Sequence, residues 1–186
     1  MEDTSREIAQ NTGFWKDTLE RQLLGLEQLE KCLSDIPLEK RIPEKIENRL
    51  ARLAVHHKYL TLWQAQRILT RRASSLMLDK YLLLDTLGQG GMGRVFLALD
   101  RRLNRQVAIK VLNPDRMNHE RSLARFEREA QVGGQLQHEN LVRIYDVGLF
   151  NHSPYLVMEY IEGPTVSFLI EKNGRLDLSQ TARIGR

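Results

Sequence analysis

The chain has 186 residues, 41% of them hydrophobic and 28% charged, with 28 basic and 24 acidic side chains for a formal net charge of +4. That composition suits one soluble domain or two small ones. The charge is spread evenly, 13 basic and 11 acidic residues in 1–78 against 15 and 13 in the remainder. A nucleic-acid binder concentrates its positive charge on one face, so no nucleic acid is expected as a partner. A single cysteine, Cys32, excludes an internal disulfide and a multi-cysteine metal site, and no metal site is expected. The polar start "MEDTSREIAQ" lacks the apolar centre of a signal peptide. No run approaches the ~18 apolar residues of a membrane-spanning helix, so a cytoplasmic chain without a membrane segment is the expectation.

Residues 1–75 read as a helical extension, a long helix followed by a helix hairpin. Ile8, Trp15, Leu19, Leu23, Leu26, Leu29 and Leu33 recur at spacings of three, four or seven, which predicts one apolar stripe. Pro37 and Pro43 bracket the break that follows. A second helix starts near Glu44, with Ile46, Leu50, Leu53 and Ala54 on one face. A third starts in "HKYLTLWQAQRIL", where Thr61 and Gln64 have capping-box spacing and Leu62, Ala65, Ile68 and Leu69 form the stripe. The pair resembles a DNA-reading helix-turn-helix in length. Yet its basic end suits a helix C-terminal dipole, and no set of base-contacting side chains is visible. Trp15, Trp63 and Cys32 are read as core residues. The stretch "RRASSL" reads as a short linker, with 76–80 leading into the next unit.

From residue 81 the period changes. "YLLLDTLG", "RVFLALDRR", "RQVAIKVL", "LVRIYDVGL" and "PYLVMEYIEG" are short, apolar and partly β-branched. Between the third and fourth, "NHERSLARFEREAQVGGQL" places Leu123, Phe126 and Ala130 on one helical face. The short connections predict an α+β unit over 81–163: a five-stranded antiparallel sheet with one main helix, preceded by the all-α region and followed by residues 164–186.

Gly88, Gly90 and Gly93 in "LGQGGMGRVF" satisfy G-x-G-x-x-G, a weak signal alone, since a plain hairpin turn would also hold glycines. A Walker-type loop needs Gly-Lys-Ser/Thr at its end, whereas Arg94 and Val95 follow Gly93. A dinucleotide turn needs a helix opening at the last glycine and an acid about 20 residues on. Asp115 has that spacing, but "RVFLALD" has no helical stripe. A hairpin lid remains, in which side-chain-free backbone lies against a triphosphate and Val95 covers a base. It needs a separate cation, and Lys110 in "VAIK" lies one strand later. A carboxylate must aim that lysine. Glu129 borders the helix face marked by Phe126 and Ala130, whereas Glu127 faces water.

The glycine loop, "VAIK", the "FEREAQ" helix, "HENLVRIYDVG" and "YLVMEYIEG", in this order and spacing, resemble the N-terminal lobe of a eukaryotic-type serine/threonine protein kinase of the bacterial branch, over residues 81–186. The resemblance implies ATP as ligand, with Leu87, Gly88, Gln89, Gly90, Gly91, Met92, Gly93, Arg94 and Val95 in the phosphate-covering loop. It implies Ala108 in the pocket roof and Lys110 with Glu129 as the catalytic pair. Met158 would stand at the gatekeeper position, with Glu159, Tyr160 and Ile161 as the hinge, and His138 would be structural. The family's catalytic His-Arg-Asp loop and its Asp-Phe-Gly, which supply the base and hold Mg²⁺, are not in the sequence. "NGRLDLSQTARIGR" resembles the approach to the first long helix of the second lobe, so the expectation is a fragment that stops before the catalytic loop. In the intact enzyme Mg²⁺ and a protein substrate would join ATP. Two further readings stand beside this one: an inactive short form that binds nucleotide or a partner, and a chain whose main role lies in residues 1–75 as a docking or regulatory module.

Overall fold

The computed structural model describes residues 6–7, 9–91, 93–113, 120–136 and 138–184. Ile8, Met92 and Asp115 lie outside them. From Gly13 onward, four α-helices precede the strands. Helix α1 (Gly13–Glu20) is capped by the Thr12 hydroxyl, which accepts from the Trp15 N–H. Helix α2 spans Leu26–Ser34, and α3 spans Pro43–His56 with proline in its first turn, where a missing N–H costs nothing. Helix α4 (Leu62–Leu69) has the reciprocal cap expected of Thr61 and Gln64.

The single long first helix is replaced by α1, a turn and α2. Gln22 adopts φ 52°, and Leu23 and Leu24, adjacent in sequence, both turn into the core. The positive φ takes the chain off the helical path at Gln22, and a helix restarts after Gly25. Leu26, expected on the stripe, is largely exposed. The remaining apolar positions form one core that includes Trp15, Leu29, Cys32, Ile46, Leu50 and Ile68. Burial pushes the Cys32 thiol up to about 11, so it is an inert packing residue.

Two of the basic residues at the end of α4 and just past it are engaged internally. Arg71 donates to both carboxylate oxygens of Glu47 at 2.9 Å, and Glu47 also accepts from the Phe14 N–H. Arg67 stacks over the Trp63 ring at 4.9 Å. Residues 73–80 are not a solvated linker. Ala73–Leu76 is a 3-10 turn with both end residues buried, and Met77–Leu78 forms a strand, β1.

The sheet therefore has six strands where five were expected, in the order β1-β2-β3-β4-β6-β5, all neighbours antiparallel. The others are β2 (Tyr81–Gln89), β3 (Gly93–Asp100), β4 (Arg105–Leu112), β5 (Ile144–Phe150) and β6 (Ser153–Glu159). Helix α5 (Glu120–Gln135) lies between β4 and β5 in sequence, and α6 (Val166–Asn173) and α7 (Leu178–Ile184) end the chain.

Because side chains alternate along a strand, the sheet has two distinct faces. One carries Leu83, Phe96, Ala98, Val107, Ile109, Tyr155 and Val157, with Trp63 of α4 packed on it. The Trp63 and Phe96 rings lie 5.9 Å apart. The other face carries Leu112 and Leu156, which meet Phe126 of α5. The sheet is thus held between the helical region on one side and α5 on the other. Two polar contacts fix the first of these. Thr61 donates its hydroxyl to the Leu84 carbonyl at 2.5 Å, and Gln64, fully buried, donates its amide to the Leu83 carbonyl at 2.8 Å. The ladder slips between Leu83 and Asp85, and a bulge of that kind frees carbonyls for such partners.

Candidate active site

Strand register gathers the site. Val95 lies opposite Lys110, and Lys110 lies opposite Leu156; Ala108 lies opposite both Leu97 and Met158. Residues directly opposite across an antiparallel ladder share a face. Val95, Ala108, Lys110 and Met158 are therefore on one face, the same one that receives α5. From α5, Glu129 reaches Lys110, with Nζ to Oε2 at 2.5 Å. Glu127 is exposed. Lys110 has no other partner among the described residues, which leaves two of its three N–H donors for an anion.

The glycine hairpin sits at the far end of β2 and β3. Gly88 lies opposite Val95 and Gln89 opposite Arg94, Leu87 is bulged out of register and exposed, and Gly90 donates its N–H to the Gly93 carbonyl at 2.9 Å. A strand, not a helix, begins at Gly93, which removes the dinucleotide reading.

Two different physical reasons account for the glycines. At Gly93 a Cβ would collide with the Val111 carbonyl oxygen, so close approach of β3 to β4 excludes any side chain. At Gly88, Gly90 and Gly91 a Cβ would meet nothing within 4 Å, and none of the three has positive φ. Neither packing nor backbone geometry calls for glycine there. The cost of ordering three glycines is explained if the open side of the turn receives a group that must touch the backbone, as a phosphate does. The residues fit such a group.

At the other end of the sheet, pairing stops at Val107 with Glu159, so Tyr160 and Ile161 lie outside the ladder. The Glu159 N–H is taken by the Arg143 carbonyl at 2.9 Å, and its carboxylate accepts from the Arg143 N–H at 3.4 Å. Of the expected hinge, Glu159 therefore holds the segment before β5 and has no N–H to offer a ligand. No pattern in the sequence signals this. His138 accepts from the Asn140 N–H at 3.1 Å and organises a turn. Among the described residues no three His, Cys, Asp or Glu side chains cluster as metal ligands, and no helix is long and apolar enough to cross a membrane.

A family model for the protein kinase domain matches residues 81–186, more than half of the chain. The chain belongs to the protein kinase family. Its kinase portion is 44% identical over 105 residues to the serine/threonine-protein kinase PrkC of Bacillus subtilis, covering 56% of this chain and 16% of that protein. It is 42% identical over 110 residues to the serine/threonine-protein kinase PknB of Mycobacterium leprae, covering 57% and 18%. Among solved structures, a double mutant of the Mycobacterium tuberculosis PknI kinase domain superposes with a TM-score of 0.52 at 25% identity, covering 60% of this chain and 45% of that one. The kinase portion is α+β, and its relatives are bacterial serine/threonine kinases. The chain spans less than a fifth of the length of either of the two relatives compared by sequence.

Proposed function

We propose that residues 81–186 form the ATP-binding side of a serine/threonine protein kinase, whose intact enzyme phosphorylates serine or threonine hydroxyls of a protein substrate. The observation that carries this reading is the Lys110–Glu129 pair on the sheet face shared with Val95, Ala108 and Met158. Bound ATP, with Mg²⁺, supplies the transferable γ-phosphoryl group. The chain's own residues bind and orient it. The side-chain-free backbone of the turn at 88–91 approaches the phosphates, and Lys110, aimed by Glu129, offsets their charge. Val95 and Ala108 give the base an apolar wall with Met158 behind it, and Tyr160 and Ile161 offer backbone groups to its edge.

The aspartates that orient the acceptor hydroxyl and hold the metal in this family belong to motifs outside these 186 residues. The polypeptide 1–186 is therefore expected to bind nucleotide without transferring phosphate. The division of the chain follows: residues 1–75 as a helical module that meets a partner, 76–80 as its junction, 81–163 as the nucleotide-binding lobe and 164–186 as the exit towards a second lobe. Calorimetric titration of 1–186 with ATP tests the reading. Saturable binding that Lys110→Met weakens at least about tenfold supports it; binding indifferent to Lys110→Met, or robust phosphate transfer by 1–186 alone, overturns it.

A further inference from the structure

The helices carry a groove that takes no part in the nucleotide site. An open cavity of about 700 Å³ lies between α3, α4 and the segment 35–40 that links α2 to α3, within the ~300–1,000 Å³ span of ligand-binding clefts. Ile36, Leu53, Ala65 and Leu69 make its floor apolar. Leu62, on the same wall, is 63% exposed at the start of α4. That leucine is not needed by the cap, which uses Thr61 and Gln64, nor by the sheet, which α4 meets through Trp63 and Gln64.

The rim is cationic. Lys40, Arg49, Arg52 and His56 all border the cavity, and Asp35 is the one acid there. Asp35 is already engaged, by Lys31 at 2.8 Å and by His57 at 2.7 Å. Among the described side chains no carboxylate lies within ion-pair distance of Lys40, Arg49 or Arg52; Glu47 of α3 is taken by Arg71, just past α4. Arg49 goes further, because its Nη1 is shut off from solvent without any hydrogen-bond partner. A guanidinium donor that is desolvated and unpaired is unfavourable, so little holds the Arg49 side chain inward, and a carboxylate at the rim would satisfy it once it turns outward, in the planar geometry arginine prefers.

We propose that this groove docks an acidic, amphipathic helical segment of a separate protein. Its apolar stripe lies on Ile36, Leu53, Leu62 and Leu69, and its carboxylates meet Lys40, Arg49 and Arg52. This is the helix-in-groove mode of recognition, with anchors at i, i+3 or i+4, and i+7. A nucleic-acid backbone would satisfy the cations but leave the apolar floor facing water. An anionic bilayer is too broad to enter a concave site walled by α3, α4 and the segment before α3. The cavity is lined by residues 35–69 alone, so the inference stands or falls independently of the nucleotide reading.

The test uses the full chain and fluorescence anisotropy with a labelled peptide of Leu, Ala and Glu, leucines spaced as above. The comparison peptide has lysine in place of every glutamate. The acidic peptide is expected to saturate, to weaken as salt is raised, and to bind at least about tenfold more tightly than the basic one. Arg52→Glu, at an exposed position, and the pair Arg49→Glu with Arg52→Glu are expected to shift preference towards the basic peptide while the circular dichroism spectrum is kept. Leu62→Ser is expected to weaken the acidic peptide roughly tenfold without loss of fold, since the side chain is already mostly in water. Equal binding of the two peptides, or no saturation by the acidic one, overturns the proposal. So does displacement of the peptide by duplex DNA or by phosphatidylserine vesicles whose own binding Leu62→Ser leaves unchanged.

Discussion

Lys110 and Glu129 meet at 2.5 Å, yet they are unequally embedded: the lysine side chain is 19% exposed and the glutamate 42%. A pair so open to water adds little to stability, about 0–1 kcal/mol. Its worth is in fixing where the ammonium points. Lys110→Met is expected to cut ATP affinity by roughly 10- to 100-fold, the loss of a charge-assisted bond. Its melting temperature should move by no more than about 4 °C. Calorimetry and thermal melts on the same preparations check both. A collapse of the melt would assign Lys110 to the core.

The glycines separate into two kinds, and alanine substitution should tell them apart. Gly93→Ala forces a methyl onto the Val111 carbonyl and is expected to cost about 1–3 kcal/mol, as overpacking does. Gly91→Ala meets open space and should leave urea unfolding unchanged or slightly strengthened, while weakening ATP binding severalfold. Equal losses of stability in the two variants would contradict this.

Gln64 is the fastener between the helices and β2. Gln64→Ala leaves the Leu83 carbonyl buried without its side-chain donor and is expected to destabilise the chain by about 1–3 kcal/mol. Thr61→Ala removes both the cap and the bond to Leu84 and should cost ~1 kcal/mol or somewhat more. Urea denaturation followed by the fluorescence of Trp15 and Trp63 measures each.

A polar cluster at the start of the sheet sets the response to pH. Lys80 and Tyr81 both donate to Asp146 Oδ2, at 2.9 and 3.0 Å. The bond from Lys80 holds the Asp146 carboxyl below its ordinary range, so its contribution is full above pH ~4 and is lost as pH falls through the lowered value. The same bond raises Lys80, and burial first, then the bond to Asp146, pushes Tyr81 up to about 12. Those contributions are full below pH ~10 and are lost as pH rises through the raised values. The urea midpoint is expected to be level between about pH 5 and pH 9 and to fall on both sides. Asp146→Asn should lower the plateau and make both falls shallower. An unchanged profile would remove the cluster from the account.

The strands were legible because β-branched runs alternate with turn residues, and "RQVAIKVL" became β4 entire. That Glu129, not Glu127, meets the sheet was readable from Phe126 and Ala130, which mark the buried side of α5. The break before α2 was not, because Leu19, Leu23, Leu26 and Leu29 keep helical spacing across a turn that only Gln22's backbone reveals. The seating of α4 was hidden for another reason. Gln64 and Thr61 announce a cap, but their second partners are carbonyls of Leu83 and Leu84, and a carbonyl is common to every residue. The groove was equally silent, since Leu62 reads as one more core position until its exposure is seen.

The short turn Ala73–Leu76, buried at both ends, denies the helices the freedom of a tethered bead. They form a buttress behind the sheet, and their bearing on the glycine hairpin is fixed by the two bonds to β2. Whatever settles on the buttress therefore sits at a set distance and angle from Lys110, and any shift of α4 must be felt first by the strand that carries the hairpin.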